Sequence, residues 1–293
     1  MAVPIPRISL SDGHSIPQLG FGTWQIADED CPRLVGEAIR AGYRSIDTAE
    51  GYGNEAGVGR AIRESGLPPE EFFVTSKLRN GAHARDQALQ AFDETMARLG
   101  LAELDLFLIH WPVPGQDKYV EAWQAMIELQ KEGRIRSIGV SNFDPVHIDR
   151  LIKETGVTPV VNQIELHPRF QQRDKRPYHR RKGIAIASWS PLGPGTSGTA
   201  AWTGQPIGSS LIQDPTIVAI AEKHGRSPAQ AIIRWHLDEG LILNPKSTHP
   251  ERMAENLAVF DFRLDAEDRY RIEAIDSASG KIGPEPAGWN QLF

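Results

Sequence analysis

Three residues with charged or acid–base side chains stand at the ends of three short apolar runs. Asp47 ends YRSID, Lys77 ends FFVTSK and His110 ends LDLFLIH. A lysine and an aspartate that leave water together are tolerated when they pair, so we expect Asp47 and Lys77 to hold each other ionised. Tyr52 follows on the loop after Asp47, and a neighbouring ammonium favours the phenolate, which predicts a lowered pKa. The combination predicts Tyr52 as a general acid.

Each of these residue types is usually structural when it stands alone. An aspartate after a strand is commonly a turn residue, a lysine a surface group, and a histidine a hydrogen-bonded structural side chain. The functional prediction therefore depends on their joint placement at strand ends, and on a fold that brings these ends together.

The apolar runs alternate with longer segments in which apolar residues recur every three or four positions, as in amphipathic helices. Leu34, Ala38 and Ile39 form one such stripe, and Gly42 follows it where a helix ends in a left-handed residue. Eight β-then-α units without a break in composition predict an α/β fold, a (β/α)8 TIM barrel that forms a single domain over residues 1–293. The eight runs are QLGFGTW, YRSID, FFVTSK, LDLFLIH, IRSIGVSN, VVNQIE, IAIASWS and LILNPKS.

Three segments lie outside this alternation. The opening PRISLSDGHSIPQLG predicts an N-terminal β-hairpin with Asp12-Gly13 in its turn. Residues 193–210 and 277–293 are too long and too rich in turn residues for simple connections, so they are predicted as long loops over the C-terminal face. The expected buried anchors of these loops are Trp202, Trp289 and Phe293.

In such a barrel the carboxyl ends of all eight strands meet on one rim, where this architecture places catalytic residues. Asp47, Lys77 and His110 then become neighbours, although they are far apart in the chain. The residues expected on this rim are Thr23, Trp24, Asp47, Lys77, His110, Trp111, Ser141, Asn142, Gln163, Trp189, Ser190, Lys246 and Ser247.

The composition argues against several classes of protein. The net charge of −6 is atypical of nucleic-acid binding, and the basic run from Arg173 to Lys182 is predicted to be a solvated helix face. No stretch approaches the length of an apolar membrane helix, and the first residues lack the apolar run of a signal peptide. Cys31 is the only cysteine, so no intramolecular disulfide is possible. We expect a cytoplasmic monomer with neither membrane nor nucleic-acid partners.

Long motifs along the whole chain resemble the aldo-keto reductases, and most closely the prokaryotic members of the 2,5-diketo-D-gluconate reductase type. These motifs are GYRSIDTAEGYGNE, VTSKL, LDLFLIHWP, IGVSNF, NQIELHP, SPLG and NPKSTHPERMAENLAVFDF. The resemblance implies NADPH-dependent reduction of an aldehyde or ketone by hydride transfer, without a metal. It implies a catalytic tetrad in which Tyr52 donates the proton, Asp47 and Lys77 tune it, and His110 orients the carbonyl.

The resemblance also implies the cofactor contacts. Ser141, Asn142 and Gln163 would hold the nicotinamide carboxamide, and Trp189 would stack on the ring. The adenosine 2′-phosphate would be held by Lys246, Ser247, Thr248 and Arg252. The full implied set is Gly22, Thr23, Trp24, Asp47, Ser141, Asn142, Gln163, Trp189, Ser190, Pro191, Leu192, Lys246, Ser247, Thr248, Arg252, Glu255 and Asn256, of which the last two would lie at the adenine.

The phosphate contacts are also expected on physical grounds. Lys246 and Arg252 are two cations around a helix start, and Pro250 suits the first turn of that helix, so the segment predicts an anion site. NADPH is therefore favoured over NADH.

For the substrate, the segment WPVPGQDKY is shorter than in many animal members of the family that the motifs resemble. The resemblance therefore implies a more open pocket and a small, polar carbonyl, such as a keto-sugar acid or methylglyoxal. By resemblance, the pocket would be lined by Trp24, Tyr52, His110, Trp111 and Trp289.

Three other interpretations stay open. GNEAGVG and YHRRK match the glycine motif and the Tyr-x-x-x-Lys pattern of short-chain dehydrogenases, although no serine stands at the required spacing before Tyr178. A barrel lyase or isomerase could use Lys77 as a Schiff-base amine. The barrel could also bind a nucleotide without catalysis, since a fold does not determine a function.

Overall fold

The structure is a computed structural model that describes residues 5–193 and 210–293. It opens with an antiparallel hairpin of β1 (Arg7–Ser9) and β2 (Ser15–Pro17). Gly13 in the hairpin turn has a φ of 91°, a left-handed conformation that glycine adopts without strain. The predicted hairpin is thus confirmed. Most of the predicted loop 193–210, with Trp202, lies outside the described residues.

Eight parallel strands follow in the described residues. Seven lie within a predicted run, and β5 extends one residue beyond FFVTSK, to Leu78. Strands adjacent in sequence are hydrogen-bonded neighbours from β3 to β10. A parallel bridge between Leu19 and Leu243, with a 2.9 Å hydrogen bond from Gly20 N to Leu243 O, joins the first strand region to the last and closes the barrel. The strands are β3 (Phe21–Gly22), β4 (Ser45–Asp47), β5 (Phe73–Leu78), β6 (Leu104–Ile109), β7 (Ile135–Ser141), β8 (Val161–Glu165), β9 (Ala185–Trp189) and β10 (Ile242–Leu243).

The helices surround the barrel and bury their apolar stripes against it. In α1, Leu34, Ala38 and Ile39 are buried, and Gly42 ends the helix at a φ of 120°. Burial of a side chain such as Leu34 stabilises the fold by roughly 2 kcal/mol. In its described part, the connection between β9 and β10 carries two helices, α7 and α8. The helices are α1 (Cys31–Ala41), α2 (Glu55–Glu64), α3 (Arg85–Leu99), α4 (Tyr119–Lys131), α5 (Pro145–Thr155), α6 (Arg176–Lys182), α7 (Pro215–Lys223), α8 (Pro228–Asp238), α9 (Pro250–Leu257) and α10 (Ala266–Glu273).

The C-terminal segment, residues 276–293, crosses the rim formed by the carboxyl ends of the strands. Its backbone accepts a 2.8 Å hydrogen bond from Asn80 Nδ2 at Gln291 O, and Asn290 Oδ1 accepts one from Gly115 N at 2.6 Å. The segment lies over the site, as expected for a loop on this face. The expectation that Phe293 is a buried anchor is wrong, because this residue is 36% exposed.

The basic run lies on α6 at the outer surface. Tyr178 Oη donates to Asp149 Oδ1 at 2.8 Å, and Lys182 Nζ lies 3.0 Å from the same oxygen. Both side chains face α5 and neither lines the cleft on the rim, which contradicts a catalytic Tyr-x-x-x-Lys pair. No helix of the described ranges is long and apolar enough to span a membrane.

Candidate active site

Asp47 and Lys77 form an ion pair inside the barrel. Both come from neighbouring strands, β4 and β5, in which Asp47 is in register with Thr75. Lys77 Nζ donates to Asp47 Oδ1 at 2.6 Å and to the backbone oxygen of Thr48 at 2.8 Å. Burial alone would lower the pKa of Lys77, but Asp47 and Tyr52 outweigh it and raise that pKa above its ordinary value. Lys77 is therefore an ammonium, as predicted.

Tyr52 completes a chain of hydrogen bonds with this pair. It ends a single 3-10 turn, Glu50–Tyr52, and its oxygen accepts from Lys77 Nζ at 3.2 Å. The predicted lowering of its pKa is wrong: burial raises the pKa of Tyr52, and the opposing effect of the Lys77 ammonium is smaller. The phenol is consequently protonated at neutral pH, which is the form that a proton donor needs.

His110 faces the same cleft from the end of β6. Its ring centroid lies 5.6 Å from that of Tyr52, and the two planes are at 73°. Burial, with Lys77 and His83 adding to it, holds the pKa of His110 well below its usual range. The imidazole is therefore neutral and can donate one hydrogen bond to a carbonyl oxygen.

The ion pairs behind the Tyr52 turn hold it in place. Glu50, whose side chain is 8% exposed, pairs with Arg79 at the end of β5 and lies 3.4 Å from Arg98. Glu55 at the start of α2 accepts from Arg98 Nε at 2.7 Å. The carboxylates on either side of Tyr52, Glu50 and Glu55, are thus held by arginines of α3 and of the residue after β5. These ion pairs restrict the movement of the turn and of its phenol.

A cleft of about 760 Å³, part of it open to solvent, lies above these residues. Sequence reasoning missed Ser188 and Asn244, which line the cleft one residue before Trp189 and two residues before Lys246. The lining residues are Gly22, Thr23, Trp24, Asp47, Tyr52, His110, Trp111, Ser141, Asn142, Gln163, Ser188, Trp189, Ser190, Pro191, Asn244 and Lys246.

The polar residues expected at the nicotinamide are connected to one another. Gln163 Nε2 donates to Asp47 Oδ2 at 2.7 Å, which links this group to the ion pair. Ser141 Oγ donates to the backbone oxygen of Gln163 at 2.9 Å. Trp189 Nε1 donates to Asn142 Oδ1 at 2.7 Å, so the indole ring has a fixed orientation at the wall of the cleft.

The predicted phosphate contacts lie further along the rim. α9 begins at Pro250, as expected. Lys246 and Arg252 are exposed and have no carboxylate partner among residues 5–193 and 210–293. Ser247 Oγ is engaged with the backbone of His249, accepting from its N at 3.1 Å. Two cations without a carboxylate beside a helix start form an electropositive surface that suits a phosphate.

The other predicted contacts do not line the cleft. Glu255 accepts from Ser227 Oγ, which fastens α9 to the start of α8. Asn256 is buried, Thr248 is exposed, and Leu192 packs against the hydrophobic core. Of the predicted tetrad, Lys77 alone does not line the cleft, because it has no exposed surface.

Aromatic rings cover the part of the cleft where the substrate contacts are predicted. Trp24 and Trp111 line the cleft, and the ring centroid of Trp289 lies 5.7 Å from that of Trp111. Phe293 makes an edge contact with His110 at 5.3 Å between centroids. The C-terminal segment thus adds two rings to this wall.

Comparison with known proteins agrees with this geometry. The sequence profile of the Aldo/keto reductase family matches residues 18–277. The chain belongs to the aldo/keto reductase family. It is therefore a member of an oxidoreductase family, and the resemblance seen in the sequence motifs is confirmed.

Individual relatives match along almost their whole length. An aldo-keto reductase of Mycolicibacterium smegmatis is 50% identical over 285 residues, which cover 97% of this chain and 98% of that protein. The methylglyoxal reductase DkgA of Escherichia coli is 47% identical over 279 residues, covering 95% and 96%. A crystal structure of a Gox0644 variant in complex with NADPH superposes with a TM-score of 0.90 at 46% identity, covering 98% and 99%.

Two alternatives from the sequence conflict with the structure. The short-chain dehydrogenase interpretation fails, because the chain belongs to another family and Tyr178 lies on the outer surface. A Schiff-base lysine must reach the substrate as a free amine. Lys77 has no exposed surface, its three N–H groups meet Asp47, Thr48 and Tyr52, and its pKa is raised.

Proposed function

We propose that this chain catalyses the NADPH-dependent reduction of a small, uncharged carbonyl compound to an alcohol, with Tyr52 as the proton donor. The observation that carries the proposal is the chain of contacts from Tyr52 through Lys77 to Asp47, with distances of 3.2 and 2.6 Å, beside a neutral His110 at the base of the cleft. Three ionisable side chains arranged in this way serve proton transfer rather than stability, because buried ion pairs contribute little net stability.

The position of each side chain in the site gives it a separate role in the reaction. When bound, NADPH supplies the hydride to the carbonyl carbon. Tyr52 donates its proton to the carbonyl oxygen, and the Lys77 ammonium stabilises the phenolate that remains. Asp47 keeps Lys77 charged, and His110 donates a hydrogen bond that orients the carbonyl oxygen toward Tyr52. After release, the phenolate regains a proton from water.

The residues present fit the cofactor. Trp189 offers a ring held by Asn142, and the amide of Gln163 lies between the cleft and Asp47. Lys246 and Arg252 offer two cations that no carboxylate of the described residues neutralises, which favours a cofactor with a 2′-phosphate. A relative of known structure binds NADPH with the same fold.

The charges around the cleft favour an uncharged substrate. Lys246 is the single lysine or arginine that lines the cleft among the described residues, and it lies in the proposed phosphate region. Residues 194–209 contain no lysine, arginine or histidine in sequence. A carboxylate on the substrate would have no cation to bind, and the aromatic wall of Trp24 and Trp111 suits neutral compounds. We expect methylglyoxal to be preferred over 2,5-diketogluconate.

The test is NADPH oxidation with methylglyoxal, a nitrobenzaldehyde and 2,5-diketogluconate, each repeated with NADH. Tyr52→Phe should lower kcat by about 100-fold or more, since it removes the donor proton and little else. NADPH binding, measured by fluorescence quenching, should stay near that of the wild type. Tyr178→Phe is the matched control, because this phenol lies on α6 outside the cleft.

Turnover retained in Tyr52→Phe would contradict its role. NADPH binding without turnover of any carbonyl would favour the non-catalytic interpretation. A higher kcat/KM for 2,5-diketogluconate than for methylglyoxal would contradict the proposed substrate class.

We further propose that the chain acts as a single-domain monomer in the cytoplasm. The most exposed large apolar side chains among the described residues belong to separate elements, as for Val146 in α5 and Tyr270 in α10, which gives little apolar surface for assembly. Cys31 is buried at the start of α1, so nothing in the chain requires an oxidising compartment. Sedimentation of the purified protein tests the monomer, and a dimer at assay concentration would contradict it.

A further inference from the structure

A buried carboxylate outside the proposed tetrad, Glu165, binds the C-terminal segment. Glu165 ends β8 and is 2% exposed. Its Oε1 accepts a hydrogen bond from Ile282 N at 2.7 Å, and its Oε2 accepts one from Gly283 N at 2.8 Å. His167 Nε2 lies 3.3 Å from Oε1. Both oxygens of a buried acid are thus used to hold backbone that lies 117 positions further along the chain.

The same contact fixes one edge of Trp189. Glu165 and Trp189 are in register on the neighbouring strands β8 and β9. A Cβ at Gly283 would lie 2.6 Å from Trp189 Cη2 and 2.9 Å from Glu165 Oε2. The backbone at Gly283 therefore packs against the indole at a distance that a larger residue does not allow. Asn142 accepts a hydrogen bond from Nε1 of the same indole, so two separate contacts fix the ring.

Beyond Gly283 the segment reaches the substrate side of the cleft. It carries Trp289 to the ring of Trp111 and Phe293 to the ring of His110. The contacts of Glu165 thus connect the ring proposed to stack on nicotinamide with the wall proposed to contact the substrate.

We propose that Glu165 is a positioning residue that holds residues 282–293 over the cleft and, through Gly283, fixes Trp189. This inference rests on the proposed function. Glu165 touches neither Tyr52 nor Lys77, and it does not line the cleft. It sets the affinity for the carbonyl substrate by holding the two aromatic groups in one arrangement, and it leaves proton transfer unchanged.

The first experiment compares Glu165→Gln with the wild type. The amide keeps the volume of the carboxylate, but its NH2 group faces a backbone N–H that then has no acceptor. Amide hydrogen exchange at Ile282 and Gly283 should become about 10-fold faster or more, and KM for methylglyoxal should rise by about 10-fold. The affinity for NADPH should fall by less than KM rises, because Trp189 contacts only the nicotinamide end of the proposed cofactor site while Lys246 and Arg252 are not contacted by Glu165. The value of kcat should change little, because Glu165 does not contact Tyr52.

Two further variants make the result specific. Glu285→Gln is the matched control, since this carboxylate lies in the same segment but its side chain is 71% exposed and pairs with Lys281; it should behave as the wild type. Gly283→Ala should reproduce the effect of Glu165→Gln, because its Cβ collides with the ring of Trp189. If Glu165→Gln folds poorly, Gly283→Ala tests the same contact from the other side.

Three results would overturn the inference: unchanged exchange at Ile282 and Gly283 in Glu165→Gln, faster exchange with an unchanged KM, or an NADPH affinity that falls as much as KM rises. Amide hydrogen exchange measures the contact between Glu165 and the backbone of Ile282 and Gly283, and it does not require a catalytic reaction. A wild-type protein that reduces no carbonyl would therefore contradict the proposed function, while the exchange data would still decide whether Glu165 holds the segment.

Discussion

Lys77 Nζ lies 2.6 Å from Asp47 Oδ1, and the two side chains are 0% and 8% exposed. The removal of two charges from water costs about as much free energy as their attraction returns, so such a pair adds little stability. Loss of one partner is different, because the other charge then stays buried without compensation. The pair therefore makes separate predictions for single and double variants.

Asp47→Asn and Lys77→Met should each lower the free energy of unfolding by about 3 kcal/mol, since each leaves one buried charge unpaired. The double variant should be more stable than the sum of the two losses predicts, because no charge remains. All three should lose reductase activity. Urea unfolding at neutral pH measures the stability, and Asp30→Asn is the control, since Asp30 and Arg33 form a pair whose side chains are 50% and 61% exposed. A strictly additive double variant would show that the pair carries no coupling.

Buried histidines predict a loss of stability in mild acid. Burial lowers the pKa of His83 and of His236 to about 4, from an ordinary value of 6.5. Between these values the unfolded chain binds protons that the folded chain does not, so the free energy of unfolding falls as the pH decreases from 6.5 toward 4. The contribution is fully present above pH 6.5. Each histidine adds up to about 1.4 kcal/mol per pH unit to this slope.

The His83→Gln variant tests whether this buried histidine makes the free energy of unfolding fall as the pH decreases. Neither ring nitrogen of His83 has a hydrogen-bond partner among the described residues, so the substitution removes a titrating group without breaking a known contact. The slope of unfolding free energy between pH 6.5 and pH 5 should become shallower than in the wild type. His14→Gln, at an exposed position of the hairpin turn, should leave the slope unchanged. A steeper slope in His83→Gln would contradict the predicted direction in which His83 changes the free energy of unfolding with pH.

Arg252 should distinguish NADPH from NADH. A charge-assisted contact with the 2′-phosphate contributes about 1.5–3 kcal/mol, so Arg252→Ala should raise KM for NADPH by about 10-fold or more. KM for NADH should change little, since NADH has no 2′-phosphate. Arg181→Ala is the control, because Arg181 is also an exposed arginine but lies on α6. Equal losses with both cofactors would argue against a contact with the 2′-phosphate.

The strand ends could be predicted from the sequence because the barrel is a regular fold. Each apolar run ends at a residue that reaches the rim, so Asp47, Lys77 and His110 could be placed together from local patterns alone. The start of α9 at Pro250 could be predicted for the same reason, since a helix start is a local feature. Features that depend on residues close together in the chain, such as strand ends and helix starts, could therefore be predicted from the sequence.

The features that the sequence did not predict depend on how deeply a side chain is buried and on contacts between residues that are far apart in the chain. The pKa of Tyr52 is raised because the phenol is deeply buried, and burial depth cannot be read from residues 44–55. The role of Glu165 depends on Gly283, which lies 118 positions away. Asn244 faces the cleft because β10 is only two residues long, so the chain leaves the strand before the polar residues begin.

The β3 region and β10 meet next to the cleft, and this closing seam of the barrel gives a final prediction. Gly22 on β3 approaches the end of β10 so closely that a Cβ would lie 2.6 Å from the backbone oxygen of Asn244. Three backbone hydrogen bonds join the chain here: from Leu243 N to Gln18 O at 3.0 Å, from Gly20 N to Leu243 O at 2.9 Å and from Gly22 N to Pro245 O at 3.3 Å. Gly22→Ala must push this backbone apart, so it should lower the free energy of unfolding by about 1–3 kcal/mol and impair activity.

Gly36→Ala is the matched control, with the opposite expected sign. Gly36 lies inside α1, and the nearest atom to its added Cβ is a terminal nitrogen of Arg40 at 3.5 Å, which can move. Alanine is favoured over glycine in a helix by about 0.5–1 kcal/mol, so this variant should be more stable than the wild type. Urea unfolding of both variants separates the general effect of an added methyl group from the effect of the seam. If Gly22→Ala were as stable as the wild type, the seam would have to be looser than its hydrogen bonds indicate, and Asn244 would then be free to move at the edge of the cleft.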